Sequence, residues 1–547
     1  MKRIVLALFL ALLLLLAGCG ELTPEKASAA METAEITYSA DIAARLSGWS
    51  IVRSDLVSGN SEAGSPLLSA YSKLRRAVSD AIGADLSPAT DWVKRGEAVP
   101  EDLPEILVGE TNRAVSAELR ERITSHRENH QNDFIVKIEG DKIAIAGGSD
   151  AALEAAADWF IIKFLEPGKA LPESYEFVYR KPYRERKLCG VNIAEWVLRP
   201  TVSLHPDIRT ELDALYSDVY ADTGFTLKEA AADAPAAAHE IVVSLDGAAD
   251  AWAVRADGDH VKITGGTYAA LTEGVREFAA AVRKGSLKDG FSRDGVIEYA
   301  IPLVREDGAK LVWHDEFNGA LSERYWVGTD TSTEGHNGGV VYRRWTPENV
   351  RTEDGNLVIN AHKLDRPNDF ETSPHCKTQN RMKFMYGYLE MYAKIPTDKG
   401  VWPAWWLNSG GLGYAVAPEI DIFEVFGTHK TLVANVHKWG AEHTSLDGVI
   451  DKNDRAYIIS RGKLSDEYHH YAFDWDEEYM KFYFDGELYY KHKMDDDLRK
   501  ELYIIISMLV GAIEVGAPDE TTRFPVEYRV DWIRLYQKDS GTVTFGK

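Results

Sequence analysis

Glu419-Ile420-Asp421-Ile422-Phe423-Glu424 sets three carboxylates in an apolar run that reads as a β-strand. Side chains alternate faces along a strand, so Glu419 and Asp421 share one face while Glu424 points to the other. A β-bulge at Ile422 or Phe423 inserts one residue, corrects the parity and brings all three acids to one face. Carboxylates gathered there repel one another, and burial penalises their charged forms, so their pKa values spread apart. That spread suits a general acid working beside an ionised carboxylate. Taken alone, the spacing fits a calcium cluster or an exposed polar face equally well. The flanking Ile420, Ile422 and Phe423 argue for a covered strand, where idle carboxylates are costly.

Working outward, the composition changes near Leu311. Nine of the fourteen Trp lie at or after Trp313, and short strand-like runs recur with Gly, Asn and Asp turns while helical periods nearly vanish. This pattern predicts a β-sandwich or jelly roll. In the run Val401-Trp402-Pro403-Ala404-Trp405-Trp406-Leu407, Trp402 and Trp406 share parity, and Trp405 faces the opposite layer.

The preceding region reads differently. Strands Ser50–Arg53 and Glu105–Gly109, a helix over 66–82, a hairpin over 134–148 about Glu139-Gly140-Asp141 and a helix capped by Ser149 follow in order. The same grammar returns with Glu240–Val243, a hairpin about Asp257-Gly258-Asp259 and a helix through Leu271 and Phe278, with an earlier helix over 208–220. Gly140 and Gly258, Gly148 and Gly266, Ala152 and Ala270, Leu153 and Leu271, and Phe160 and Phe278 all match at one offset of 118. Two tandem α+β modules are expected, each a small sheet covered by helices. Their Gly-Gly turns before helices have an anion-binding reading and a tight-turn reading, and the tight turn is favoured.

At 547 residues the chain exceeds one hydrophobic core. A net charge of −24 argues against nucleic acid or anionic lipid headgroups as general partners. Met1-Lys2-Arg3, an apolar run from Ile4 to Leu16 and small residues before Cys19 read as a leader. Leu16-Ala17-Gly18-Cys19 resembles a bacterial lipobox, which implies cleavage before Cys19, lipidation of its thiol and a membrane tether outside the cytoplasm. An uncleaved N-terminal anchor is the alternative. Cys189 and Cys376 are expected to be buried and inert.

Trp313-His314-Asp315-Glu316-Phe317-Asn318-Gly319, Glu353-Asp354-Gly355-Asn356-Leu357, Phe384-Met385-Tyr386-Gly387-Tyr388-Leu389-Glu390, the Trp402 run, the acidic hexapeptide, Phe482-Tyr483-Phe484-Asp485-Gly486 and Val530-Asp531-Trp532-Ile533-Arg534 occur in order. Residues 303–547 thereby resemble glycoside hydrolase family 16, the family of laminarinases, lichenases, agarases and carrageenases. The resemblance implies a jelly roll with a concave catalytic sheet and hydrolysis with retention. Carried over, Glu419 is the nucleophile, Glu424 the general acid/base and Asp421 the residue that tunes their protonation. Retaining glycosidases set two carboxyls roughly 5 to 5.5 Å apart, which demands the bulge. The resemblance also implies Trp402, Trp406, Arg381, His437 and Trp439 as substrate-binding residues. It implies no cofactor for catalysis, and a structural calcium held by Asp531, the Gly355 carbonyl and Glu316.

Two departures bear on the sugar. Gly413–Pro418 lacks the Trp-Pro pair of many laminarinases, and Ala434–Trp439 looks closer to galactan-cleaving branches. A β-1,3- or mixed β-1,3/1,4-glucan leads, with agarose-, porphyran- or carrageenan-like galactans as the alternative; there Lys438, Arg381 and Lys383 would meet sulfate esters. A non-catalytic surface glycan-binding protein and a transglycosylase complete the alternatives. The expected organisation is a leader over 1–18, a tether over 19–40, α+β modules over 41–185 and 186–302, and the jelly roll over 303–547.

Overall fold

The computed structural model describes residues 38–56, 66–165, 170–427, 431–440, 444–446, 457–458 and 464–546. The expected leader, Cys19 and the tether as far as residue 37 lie outside the described residues. Contacts divide the chain into two units. One runs to Lys187 and adds Asn192–Ala194 and Leu215–Leu227; the other holds Leu188–Val191, Glu195–Ala214 and everything from Lys228.

The first unit carries a six-stranded mixed sheet in the order Ser87–Thr90, Ser50–Arg53, Glu105–Val108, Lys142–Gly147, Phe134–Glu139, Ser174–Tyr179. The first four strands run parallel, and Phe134–Glu139 runs antiparallel to both its neighbours, Lys142–Gly147 and Ser174–Tyr179. Parallel neighbours need crossovers, which explains the helices between them. Alternating strand residues divide between two cores. Ile51, Ile106 and Val136 pack under the helices Pro66–Ile82 and Asp150–Phe164, whereas Val52, Leu107 and Ile135 pack under Ala114–Thr124. Ser149 caps its helix as expected, accepting from the Ala152 amide.

A second mixed sheet, in the order Lys228–Glu229, Val197–Pro200, Glu240–Leu245, His260–Gly265, Ala251–Asp257, Ser292–Val296, repeats the strand order and directions of the first. Thr267 caps the helix Tyr268–Lys284 as Ser149 caps its counterpart. The paired glycines serve close packing. A Cβ on Gly147 would lie 2.3 Å from the Leu153 amide nitrogen, and one on Gly265 2.1 Å from that of Leu271. Ala114–Thr124 has no counterpart among the described residues of the second repeat, because Glu240–Leu245 passes to Ala251–Asp257 through a short turn. The outward positions Arg255 and Lys262 are exposed there, so the chain spends charge where the first repeat spends apolar cover.

From Lys310 onward the chain forms a β-sandwich. An eleven-stranded sheet faces a seven-stranded one built in the order Cys376–Lys377, Tyr503–Val510, Val401–Asn408, Ala417–Glu424, Thr431–Trp439, Thr444–Leu446, with Tyr457–Ile458 also pairing on Thr431–Trp439. The seam is aromatic. Trp405 and Phe423 point into it from the seven-stranded sheet, with ring centroids 6.1 Å apart, and Phe423 meets Tyr471 of the other sheet at 4.7 Å. Trp405 is thus a core residue, as its parity predicted. Cys376 is buried, but Cys189 is only half-buried, because it sits in a turn with φ of 49°.

Candidate active site

The strand Ala417–Glu424 is bulged where its parity required. Against Thr431–Trp439, Asp421 pairs with Asn435 and Glu424 with Val433, so three steps on one strand oppose two on the other. Against Val401–Asn408, Trp406 pairs with Asp421 and Trp405 with Phe423, so Ile422 is the extra residue. Glu419, Asp421 and Glu424 consequently line one cleft of about 580 Å³, together with Trp402, Trp406 and His437. Ile422 and Phe423 are buried and lock the bulge in place.

Each acid has its own partner. The Trp402 indole donates to Glu424 Oε1 at 3.0 Å, and Asn408 Nδ2 donates to Glu419 Oε2 at 2.6 Å. His437 Nε2 lies 3.2 Å from Asp421 Oδ2, and its ring stacks on Trp439 at 5.6 Å. Burial leaves the carboxyls desolvated. Burial, then the charge of Asp421, pushes Glu424 up to about 8 against the weaker pull of the Trp402 bond. Burial, then the charge of Glu419, raises Asp421 well above its ordinary value. Glu419 is raised by burial too, but His437 and bonds from the Trp439 and Asn408 side chains pull it down. The arrangement orders the protons. Glu424 keeps one at neutral pH, and Glu419 is the acid whose charge is best supported.

Trp402 and Trp406 stand on the cleft wall as their shared parity required. Trp406 donates to Ser507 Oγ at 3.1 Å. Arg381, expected beside them, does not line the cleft. Its amide closes a turn onto the Thr378 carbonyl, after which Met382–Met385 leaves to pair with Thr542–Phe545. The expected sulfate contacts also fail. Lys438 Nζ bonds Asp495 at 2.5 Å, and Lys383 pairs with Glu501 at 2.6 Å. Sequence reasoning missed Asn408, although the 402, 404, 406 parity extends to it. It also missed Arg343 and His375, which reach the cleft from outside the catalytic strands and carry no sequence signal.

The expected calcium ligands fare unevenly. Val530 pairs with Leu357, which places Asp531 beside Asn356 and so near Gly355. Glu316 does not fit, because Arg534 grips both its oxygens at 2.9 and 2.8 Å. Burial pushes Glu316 up, but Arg534 and then His314 win and hold it down to about 2. Among the described residues, the one cluster of three ligand-type groups is Glu419, Asp421 and His437. Two carboxyls and an imidazole make a poor cage for calcium, which takes about six to eight oxygen ligands.

A bulged strand that turns three carboxyls into one cleft of a β-sandwich has the arrangement of a glycosidase-type site. Residues 338–534 match Glycosyl hydrolases family 16, and this segment is a catalytic domain of that family, whose members are retaining hydrolases. The chain is similar to "Glucan endo-1,3-beta-glucosidase A1" of Niallia circulans, 26% identical over 265 residues, 42% of this chain and 38% of that protein. It is also similar to "Beta-glucanase" of Rhodothermus marinus, 28% identical over 251 residues, 42% of this chain and 85% of that protein. A solved laminarinase catalytic domain from Thermotoga petrophila is 28% identical, covering 42% of this chain and 99% of its own, with a TM-score of 0.35. The chain spans under half the length of the longer curated relatives it matches.

Proposed function

We propose that this protein is a retaining endo-β-glycanase acting on a β-1,3- or mixed β-1,3/1,4-glucan. The observation that carries this reading is the bulge, which turns Glu419, Asp421 and Glu424 to one cleft while burial pushes Glu424 up to about 8. In the first step Glu419 attacks the anomeric carbon and Glu424 protonates the departing oxygen. In the second, Glu424, now ionised, takes a proton from water as that water displaces Glu419. Asn408 steadies the Glu419 carboxylate, Trp402 orients Glu424, and Asp421 keeps Glu424 protonated through its charge. Trp402 and Trp406 offer flat apolar faces for sugar C–H groups. The glucan assignment is supported by the names of the similar proteins, which are glucan hydrolases.

The proposal includes a jelly roll over 303–547 preceded by two accessory modules over 41–185 and 186–302. It also includes an extracytoplasmic location through lipid on Cys19, supported by the leader pattern. Release of reducing ends from laminarin, mixed-linkage glucan, agarose and carrageenan tests the function. Cleavage of a glucan with a β-anomeric first product is expected. Glycan binding without new reducing ends from any of them would contradict it.

A further inference from the structure

Arg343 enters the cleft from the strand Val340–Arg343, which belongs to the opposite sheet. Its Nη1 donates to His375 Nε2 at 3.2 Å, so the imidazole accepts and must be neutral there. Burial, reinforced by Arg343, lowers His375 to about 4, consistent with that form. The His375 ring stands nearly perpendicular to Trp406, 85° between planes at 5.2 Å. Arg343 Nε is buried without a hydrogen-bond partner, and no carboxylate among the described residues pairs with the guanidinium. Arg343 nevertheless lines the cleft, and a half-buried cation there with no carboxylate partner among the described residues is costly unless something outside the chain completes it.

Its position says what that is. Tyr503–Val510 and Val401–Asn408 lie between the His375 end of Cys376–Lys377 and the catalytic strand. Three strand spacings amount to about 14 Å, so Arg343 meets a sugar unit other than the one being cleaved. Its surroundings say which chemistry. Glu334 and Glu514 line the same cleft, and Glu514 acts electrostatically on Arg343. An anionic substituent would meet those carboxylates in a protein of net charge −24. Sugar hydroxyls both accept and donate, and a guanidinium fork beside carboxylates supplies both halves.

We infer that Arg343, held by His375, is a specificity-determining residue that reads hydroxyl oxygens of a neutral sugar unit away from the scissile bond. The inference rests on the glycanase reading and deepens it. The test compares wild type, Arg343→Ala and Arg343→Lys, the latter keeping the charge but losing the fork. Substrates are neutral β-glucan oligosaccharides of increasing length, a short aryl β-glycoside and a carboxymethylated glucan. Both variants should raise KM for the long neutral substrates about tenfold while kcat stays within about twofold, the signature of lost uniform binding. The aryl glycoside should be cleaved as before, which also reports an intact fold. Calorimetric binding of the same oligosaccharides reads Arg343 without turnover, and equal affinity in all three proteins would overturn the assignment. A loss confined to the carboxymethylated glucan would overturn the hydroxyl reading. If wild type hydrolyses nothing while Arg343-dependent binding persists, the glycanase reading falls and the Arg343 assignment stands.

Discussion

The chain buries carboxylates in two places and treats them in opposite ways. In the first α/β sheet Glu105 is 2% exposed, and Arg113 clasps it at 2.9 and 2.7 Å while Lys142 adds a bond at 2.7 Å. Burial pushes its pKa up, but the Arg113 and Lys142 bonds outweigh that and leave it lowered. Glu240 opens the corresponding strand of the second repeat and is held low by Arg199. On the bulged strand Asp421 is also almost fully buried, yet it and its neighbours meet indole, amide and imidazole groups, and all three carboxyls rise. A buried acid matched by a cation holds the fold together. One set instead among indole, amide and imidazole groups, with no Arg or Lys clasping it, is kept for proton transfer, at a cost in stability.

The comparison breaks cleanly if its two halves respond alike to mutation. The largest effects belong to the cleft. Glu424→Gln and Glu419→Gln should each lower kcat by about 10³-fold or more on polysaccharide, measured by reducing ends. Neither should lower the unfolding midpoint at neutral pH. Glu105→Ala should do the reverse, costing about 3 to 5 kcal/mol of stability by stranding a buried guanidinium. Urea unfolding monitors that loss, and the rate per folded molecule should stay unchanged.

Proton linkage separates the halves further. Glu424 must be protonated and Glu419 ionised, so kcat/KM should form a bell that falls as pH rises through about 8 and falls again as pH drops through the raised pKa of Glu419. For stability the signs are opposite. The lowered Glu105 contributes stability above the ordinary carboxylate pKa, lost as pH falls through its folded value. The raised Glu424 erodes stability as pH climbs from 4.5 to about 8, and Glu424→Gln should remove that slope.

How much of this was legible follows from where each signal lives. Parity, bulge and core Trp405 are properties of one strand and its neighbour, and local sequence carries them. The 118-residue offset likewise captured the hairpin and following helix in each repeat. The edge strands Ser87–Thr90 and Lys228–Glu229 were missed because their few residues lack an apolar alternation. Arg343 and His375 approach the cleft through pairing between distant segments, which no local pattern encodes. Glu316 misled because its motif matches while its carboxylate is spent on Arg534.

Smaller changes sharpen the comparison. Asp421→Asn removes the charge that helps raise Glu424, so the alkaline limb of the bell should move to lower pH and kcat should fall by about 10- to 100-fold. Asn408→Ala removes a bond that holds Glu419 down, so the acid limb should move up, with kcat/KM reduced about tenfold at most. Both are read from pH–rate profiles.

The central claim is that Glu419 attacks the sugar while Glu424 serves as acid. A mechanism-based glucan oligosaccharide that traps the glycosyl-enzyme, followed by peptide mass spectrometry, tests it most directly. The expected result is one adduct on Glu419, absent from Glu419→Gln. An adduct on Glu424, or turnover with inversion and no adduct, would contradict it.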